Sequence, residues 1–146
     1  MLYIQGKFTK KFFRKMLDAS LVIGGCKFIL WEDLVPLERK RRILRCKLQE
    51  YSLGQEELEV VTRSSKYESC IKSGECYILS QGSISVLIDF VKDILVPFRD
   101  MSIYTATSNY WIMCMIFHEE MVLVRDSGKI IESLDDMGVD YSLKAP

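Results

Sequence analysis

The longest uninterrupted apolar run of the sequence is Tyr110–Phe117, which reads YWIMCMIF. It is far shorter than the roughly 20 residues that a membrane-spanning helix needs. Because both alternating faces of such a strand are apolar, the run predicts a strand in the middle of a sheet. The rest of the chain must then supply the neighbouring strands and the helices that pack on them.

Three segments have the spacing of apolar residues that is typical of amphipathic helices. The first covers residues 9–19, with Thr9 as its N-cap. The second covers residues 36–52. The third has the clearest pattern, begins after Gly82-Ser83 and is stopped by Pro97. The segment 129–137 fits either a short final helix or a strand followed by a loop.

Shorter segments have the alternation or the apolar content of β-strands. They cover residues 26–31, 57–60, 75–80, 101–107 and 121–125. Together with the central run they predict an α+β fold. We expect a single domain over residues 1–146, with an antiparallel or mixed sheet of about five or six strands packed with about three helices. Residues 138–146 are expected to form a loosely ordered tail.

The charges are divided unevenly along a chain whose net charge is zero. Residues 1–49 contain 12 Lys and Arg but 4 Asp and Glu, whereas the remainder contains 8 and 16, so the two parts carry +8 and −8. A basic run on the predicted helix 36–52 suggests nucleic-acid binding as an alternative function; it consists of Arg39, Lys40, Arg41, Arg42, Arg45 and Lys47. Base stacking would require interleaved aromatic residues, and this helix has only Tyr51 at its end. We therefore expect a solvated helix face and no nucleic-acid partner.

Catalytic and metal sites have little support in the sequence. The five cysteines are odd in number and lack a CxxC pair, and His118 is the only histidine, so no zinc site or other cofactor is expected. The cysteines are predicted to be reduced and mostly buried. His118 is followed by Glu119 and Glu120 and is a candidate general base. A small enzyme centred on His118 is thus a third hypothesis, but we expect the protein not to be an enzyme.

From about Glu56 to Leu134 the order of elements resembles that of small bacterial toxin-immunity proteins, including those of contact-dependent growth-inhibition systems. The segments that carry this resemblance are the helix QGSISVLIDFVKDIL, the strand MSIYTAT, the strand YWIMCMIFHEE and its hairpin partner MVLVRD. The resemblance implies a protein that binds a cognate toxin domain directly and stoichiometrically. The N-terminus lacks the features of a signal peptide, so the expected location is the cytoplasm.

The predicted partner site is the hairpin that follows the central strand. Glu119, Glu120 and Asp126 flank this hairpin with His118, and Tyr110 is a candidate aromatic anchor. A nuclease toxin must bind phosphates and tends to have a basic cleft, which an acidic surface can fill. Asp135, Asp136 and Asp140 would join this surface if the chain end folds back.

Overall fold

The computed structural model of the protein describes residues 1–32, 38–63, 68–95, 98–125 and 127–146. Within these ranges the strands are β1 (Leu2–Gln5), β2 (Lys27–Glu32), β3 (Ser52–Arg63), β4 (Glu68–Ile78), β5 (Phe98–Tyr104), β6 (Trp111–Ile116) and β7 (Met121–Val124). The helices are α1 (Lys10–Val22), α2 (Glu38–Leu48), α3 (Gln81–Asp89), the single turn α4 (Val91–Ile94) and α5 (Ser127–Asp136).

The strands form one antiparallel sheet in the order β1-β7-β6-β5-β2-β4-β3. The α+β class is therefore confirmed. The described sheet has seven strands rather than five or six, because β1 pairs with β7 at an edge of the sheet. With only four residues, β1 is too short to show a repeating pattern in the sequence. The segment whose type the sequence left open is the helix α5.

The helices cover one face of the sheet and bury its larger hydrophobic core. Phe13, Met16 and Leu17 of α1 pack in this core with Ile84 and Leu87 of α3. The α1 cap is as predicted, since the Thr9 hydroxyl accepts a hydrogen bond from the Phe12 amide at 3.1 Å. The third helix ends at Asp89 instead of continuing to residue 95, and the single turn α4 follows it.

The β3–β4 hairpin covers the opposite face of the sheet. Pairing between β2 and β4 is limited to two residue pairs, Lys27–Ile78 and Phe28–Tyr77. Beyond these pairs the hairpin turns over the sheet, and Leu58 and Val60 are buried in a second apolar cluster. This cluster also contains Ile29, Trp31, Tyr104, Trp111, Cys114 and Leu123. The central position predicted for β6 is confirmed, because β6 pairs with β5 on one side and β7 on the other.

Gly74 permits the close approach of the hairpin to the sheet. A Cβ atom at this position would lie 2.9 Å from Cζ3 of Trp31 and 3.1 Å from Cγ2 of Ile29. Any larger residue would therefore push β4 away from β2 or displace the indole ring. The lack of a side chain at residue 74 is what lets β4 pass directly over Trp31.

The C-terminal segment 138–146 contacts the outer edge of β1. The Tyr3 amide donates to the Ser142 carbonyl oxygen, and the Ser142 amide donates to the Tyr3 carbonyl oxygen, both at 2.8 Å. The segment expected to be loosely ordered is thus joined to the sheet at one residue pair. Among the described helices, none combines the length and the apolar composition needed to cross a membrane.

Candidate partner-binding surface

The predicted hairpin tip between β6 and β7 is a short 3-10 turn, Phe117–Glu119, followed by Glu120. Phe117 is buried and anchors this turn, because its ring centroid lies 5.3 Å from that of Phe8 and 6.2 Å from that of Phe13. Both ring pairs are close to perpendicular, which is a favourable aromatic geometry. The tip is therefore attached to the core through one large side chain.

Glu120 has left-handed backbone angles, with φ 52° and ψ 42°. Two hydrogen bonds hold this conformation: the Glu120 amide donates to the Phe117 carbonyl oxygen at 3.2 Å, and the Gly6 amide donates to the Glu120 carbonyl oxygen at 2.9 Å. A residue with a Cβ atom loses roughly 1 kcal/mol or more in this region, which glycine occupies without strain. Among the described non-glycine residues, Glu120 alone has a positive φ.

Two of the three side chains of the tip are exposed, and that of Glu119 is half-buried, with 28% of its surface accessible. His118 is 57% exposed, and its Nε2 lies 3.7 Å from Oε1 of Glu119. Glu120 is also exposed. We define residues 118–120 as the acidic tip: two carboxylates and one imidazole on a backbone held from both sides. Such a surface loses little conformational entropy on binding.

The structure separates Tyr110, another predicted partner residue, from the acidic tip. Tyr110 is 61% exposed but precedes β6, whereas the tip follows β6, so roughly 20 Å of strand lies between them. Asp126 lies outside the described residues. Arg125 lies beside the start of β6, near Tyr110, because the Arg125 amide donates to the Ile112 carbonyl oxygen at 3.0 Å.

One of the three carboxylates near the chain end shares a depression with Gly6, the residue whose amide binds the Glu120 carbonyl oxygen. Asp140 lines a shallow depression of about 330 Å³ with Gln5 and Gly6, and Gly6 donates its amide hydrogen bond to Glu120. Lys11 and Lys15 of α1 line the same depression. The depression beside Gly6 thus carries charges of both signs, a feature that the acidic composition of the second half did not reveal.

Asp100 is a buried carboxylate that sequence reasoning missed. It is 2% exposed, and its Oδ2 accepts a hydrogen bond from Nε of Arg99 at 2.8 Å. Its Oδ1 has no hydrogen-bond partner among the described residues. Burial raises the pKa of Asp100 to about 6, although the charges of Arg99 and, more weakly, His118 act in the opposite direction. No sequence pattern marked it, because Asp100 directly precedes the strand predicted over residues 101–107 and its burial depends on elements distant in the chain.

His118 is exposed, and its one described ionic contact is with the neighbouring Glu119. Four depressions of 330 to 550 Å³ on the described surface are lined by neither His118 nor Asp100. Among the described residues, no group of three or more His, Cys, Asp or Glu side chains is placed to hold a metal ion.

The largest of these depressions lies where β2 and β4 diverge. It has a volume of about 550 Å³, and α2 forms its third wall through Leu44, Arg45 and Leu48. Trp31 and Gly74 line it from the two strands. This opening follows from the short β2–β4 pairing and was not predicted; Gly74 directly precedes the strand predicted over residues 75–80.

Helix α2 has most of the basic side chains of the predicted solvated face in solvent, but one of them is buried. Arg39, Lys40 and Arg42 are exposed, but Arg41 is buried at 7% exposure. Tyr51, the aromatic residue of this segment, is half-buried and packs its hydroxyl group against Gly82. The helix therefore presents basic side chains without an available aromatic ring.

The prediction that most cysteines are buried is wrong. Cys76 and Cys114 are buried, Cys26 is half-buried, and Cys46 and Cys70 are exposed, all five as free thiols. Cys46 lies on the solvent side of α2. Cys70 belongs to β4, which begins seven residues earlier than the strand predicted over residues 75–80.

Comparison with known proteins gives no relative on which to base a function. No protein-family model matches the chain, and neither the curated proteins nor the solved structures contain a significant match.

Proposed function

We propose that the protein is an immunity protein that neutralises a cognate toxin domain by direct, stoichiometric binding, with the acidic tip as part of its interface. The observation that carries the proposal is the left-handed conformation of Glu120 on an exposed, anchored turn. Glycine would satisfy this backbone at a lower free-energy cost. A glutamate at this position is best explained by a requirement for its carboxylate outside the fold.

The chemistry of the tip suits a basic partner surface. Glu119 and Glu120 provide two carboxylates, which accept charge-assisted hydrogen bonds from Arg or Lys side chains. A nuclease domain must bind phosphates, so its active cleft offers such side chains. Complementary charges increase the rate of encounter and disfavour wrong partners. A toxin domain with nuclease activity is therefore the partner that we propose.

The test begins with the product of the toxin gene expected directly upstream of the gene for this protein. We expect the two purified chains to form a 1:1 complex by isothermal titration calorimetry, and co-expression to restore growth. A chain that neither binds this domain nor protects cells from it would contradict the proposed function.

A pair of matched variants tests the location of the site. Glu119→Lys with Glu120→Lys should weaken binding about 100-fold or more, because it places two positive charges against a basic cleft. Glu132→Lys with Asp136→Lys makes the same change in charge at two exposed positions of α5 and should alter affinity less than threefold. Equal affinities of the two variants would place the interface elsewhere.

A further inference from the structure

The start of α1 and the loop before it form a basic surface. Its four cationic side chains are all exposed, and we define them as the basic patch: Lys7, Lys10, Lys11 and Arg14. Other cations of the chain are paired within the fold, as Lys27 is with Glu56 and Arg125 with Glu59. No ion pair links a residue of the basic patch to the part of the chain that the structure describes. The patch therefore offers its charges to a molecule outside the fold.

The position of these charges is unfavourable for α1 itself. A helix carries partial positive charge at its N-terminus and partial negative charge at its C-terminus, so basic side chains stabilise its last turn. In α1 the last turn has no basic residue and the first turn has no acidic one, while Lys10 and Lys11 stand in the first turn. Lys10 and Arg14 are also four residues apart on the helix, where like charges repel. The stability of α1 therefore does not explain the basic patch.

The basic patch begins beside the acidic tip. Lys7 follows Gly6, whose amide donates to the Glu120 carbonyl oxygen at 2.9 Å. It precedes Phe8, whose ring centroid lies 5.3 Å from that of Phe117, the buried residue of the same turn. The residues on both sides of Lys7 thus contact the turn that carries the acidic tip, and one surface of the protein presents cations next to carboxylates.

The acidic neighbours decide which kind of partner fits the basic patch. Nucleic acid is one candidate, because its phosphates bind Lys and Arg side chains. Its backbone, however, is negative along its whole length, and the exposed carboxylates of Glu120 and Asp140 repel it here. Asp140 lines the same depression as Lys11 of the patch. A protein surface can alternate in sign over such a distance, so a protein complements both groups.

We propose that the toxin domain contacts the basic patch together with the acidic tip, and that it presents a segment rich in Asp and Glu next to its basic cleft. This inference rests on the proposed function and names a second part of the same interface. Two adjacent groups of opposite sign accept a partner in one orientation, because a rotated partner places like charges opposite each other. The basic patch thus supplies a specificity for the cognate toxin that the acidic tip alone does not.

Charge reversal at the start of α1 provides the first test. Lys10→Glu with Lys11→Glu should weaken toxin binding about tenfold or more by isothermal titration calorimetry, because it places two carboxylates against the acidic segment of the toxin. The same variant should have a higher Tm than the wild-type chain, since acidic side chains are favourable in the first turn of a helix. Weaker binding by a more stable chain excludes unfolding as the cause.

The matched control reverses two exposed cations of another helix. Arg42→Glu with Lys47→Glu makes the same change in net charge on α2. It should alter toxin affinity less than about threefold, because charges outside the interface are screened by salt. Equal losses of affinity in the two variants would make net charge the cause and would overturn the proposal.

Substitutions in the toxin locate the acidic segment. Each Asp or Glu that borders its basic cleft is replaced by Lys, one at a time, and binding to the chain with Lys10→Glu and Lys11→Glu is measured. At least one replacement should restore affinity by about tenfold, because it removes a like-charge contact, and should weaken binding to the wild-type chain. If no replacement restores binding, the basic patch does not meet an acidic segment and the proposal is wrong.

The results separate this inference from the proposed function. If Glu119→Lys with Glu120→Lys weakens the toxin complex and the reversal on α1 does not, the basic patch lies outside the interface and only this inference fails. If the wild-type chain does not bind the toxin, both fail. A mobility shift with a short DNA duplex and sedimentation velocity of the chain alone examine the other partners. Duplex binding or a dimer that the reversal on α1 abolishes, with toxin affinity unchanged, would assign the patch to nucleic acid or to a second copy and overturn the proposal.

Discussion

The guanidinium group of Arg125, at the end of β7, donates hydrogen bonds to both carboxylate oxygens of Glu59 on β3. The same group lies 3.9 Å above the centroid of the Trp111 ring. Glu59 is bound on its other sides as well: its carboxylate accepts from the Ser69 hydroxyl at 2.7 Å, and its carbonyl oxygen accepts from the Tyr104 hydroxyl at 2.6 Å. These contacts fasten the β3–β4 hairpin to the sheet. Burial alone would raise the pKa of Glu59, but the hydrogen bonds from Arg125 and Ser69 outweigh it and the pKa is lowered.

Replacing Arg125 by methionine should lower the free energy of unfolding by about 3 kcal/mol, because the buried carboxylate of Glu59 loses its charged partner. Urea denaturation measures this loss. The double variant Arg125→Met with Glu59→Leu should recover more than half of it, since no unpaired charge remains in the fold. If the double variant were less stable than Arg125→Met alone, the ion pair would not be what fastens the hairpin.

Asp100→Asn should change how stability depends on pH. The pKa of Asp100 is about 6 in the folded protein against an ordinary 3.8, so the folded state binds the proton more tightly. Stability contributed by this proton is present below about pH 4 and is lost as the pH rises through 6. At pH 7.5 the variant should therefore be more stable than wild type, by at most about 3 kcal/mol.

Denaturation at pH 4 is the comparison for the Asp100 variant. There the wild-type carboxyl is largely protonated, so the two proteins should be of similar stability. An advantage of the variant that stayed constant from pH 4 to 7.5 would exclude titration of Asp100 as its cause.

Glu120→Gly should separate stability from binding. Glycine relieves the left-handed strain, and we expect the free energy of unfolding to rise by up to about 1 kcal/mol. Toxin affinity should fall because the carboxylate is absent. Glu119→Gly is the matched control, because Glu119 lies in the 3-10 turn and has no positive φ for glycine to relieve. The Glu119→Gly variant should therefore be destabilised. Thermal unfolding and calorimetry measure the two effects, and a destabilised Glu120→Gly protein would argue against strain.

Gly74→Ala should destabilise the protein by about 1 to 3 kcal/mol, because the new methyl group overlaps the Trp31 ring and the backbone must move. In the Trp31→Phe background the outer ring atoms are absent, and the same change should cost at least 1 kcal/mol less. Ser73→Ala, on the adjacent exposed residue, should have almost no effect. If the two changes lowered the free energy of unfolding additively, contact between residues 74 and 31 would not set how closely the hairpin approaches the sheet.

In the native protein, two of the five cysteines should react rapidly with a thiol-labelling reagent. Cys46 and Cys70 are exposed and should react at once, whereas Cys26 should react slowly. Burial raises the pKa of the Cys76 thiol to about 12 and raises that of Cys114 as well, so neither forms the reactive thiolate at neutral pH. These two should react only after denaturation. Prompt labelling of Cys114 would place the second apolar cluster in contact with solvent.

The sequence by itself determined the α+β class, the central position of β6, the cap of α1 at Thr9 and the turn at residues 118–120. Each depends on local periodicity or on a short-range backbone requirement, and such signals are contained in neighbouring residues. The short strand β1 and the lengths of β3 and β4 were not evident, because their pairing is decided by strands distant in the chain.

Only the tertiary structure decided how the surface is arranged. It placed Tyr110 and the acidic tip at opposite ends of β6, since antiparallel strands separate residues that are close in sequence by the full length of the strand. It also brought Glu59 to Arg125 and buried Asp100 beneath the hairpin. None of these contacts has a sequence pattern, because each arises where elements far apart in the chain pack on the same face of the sheet.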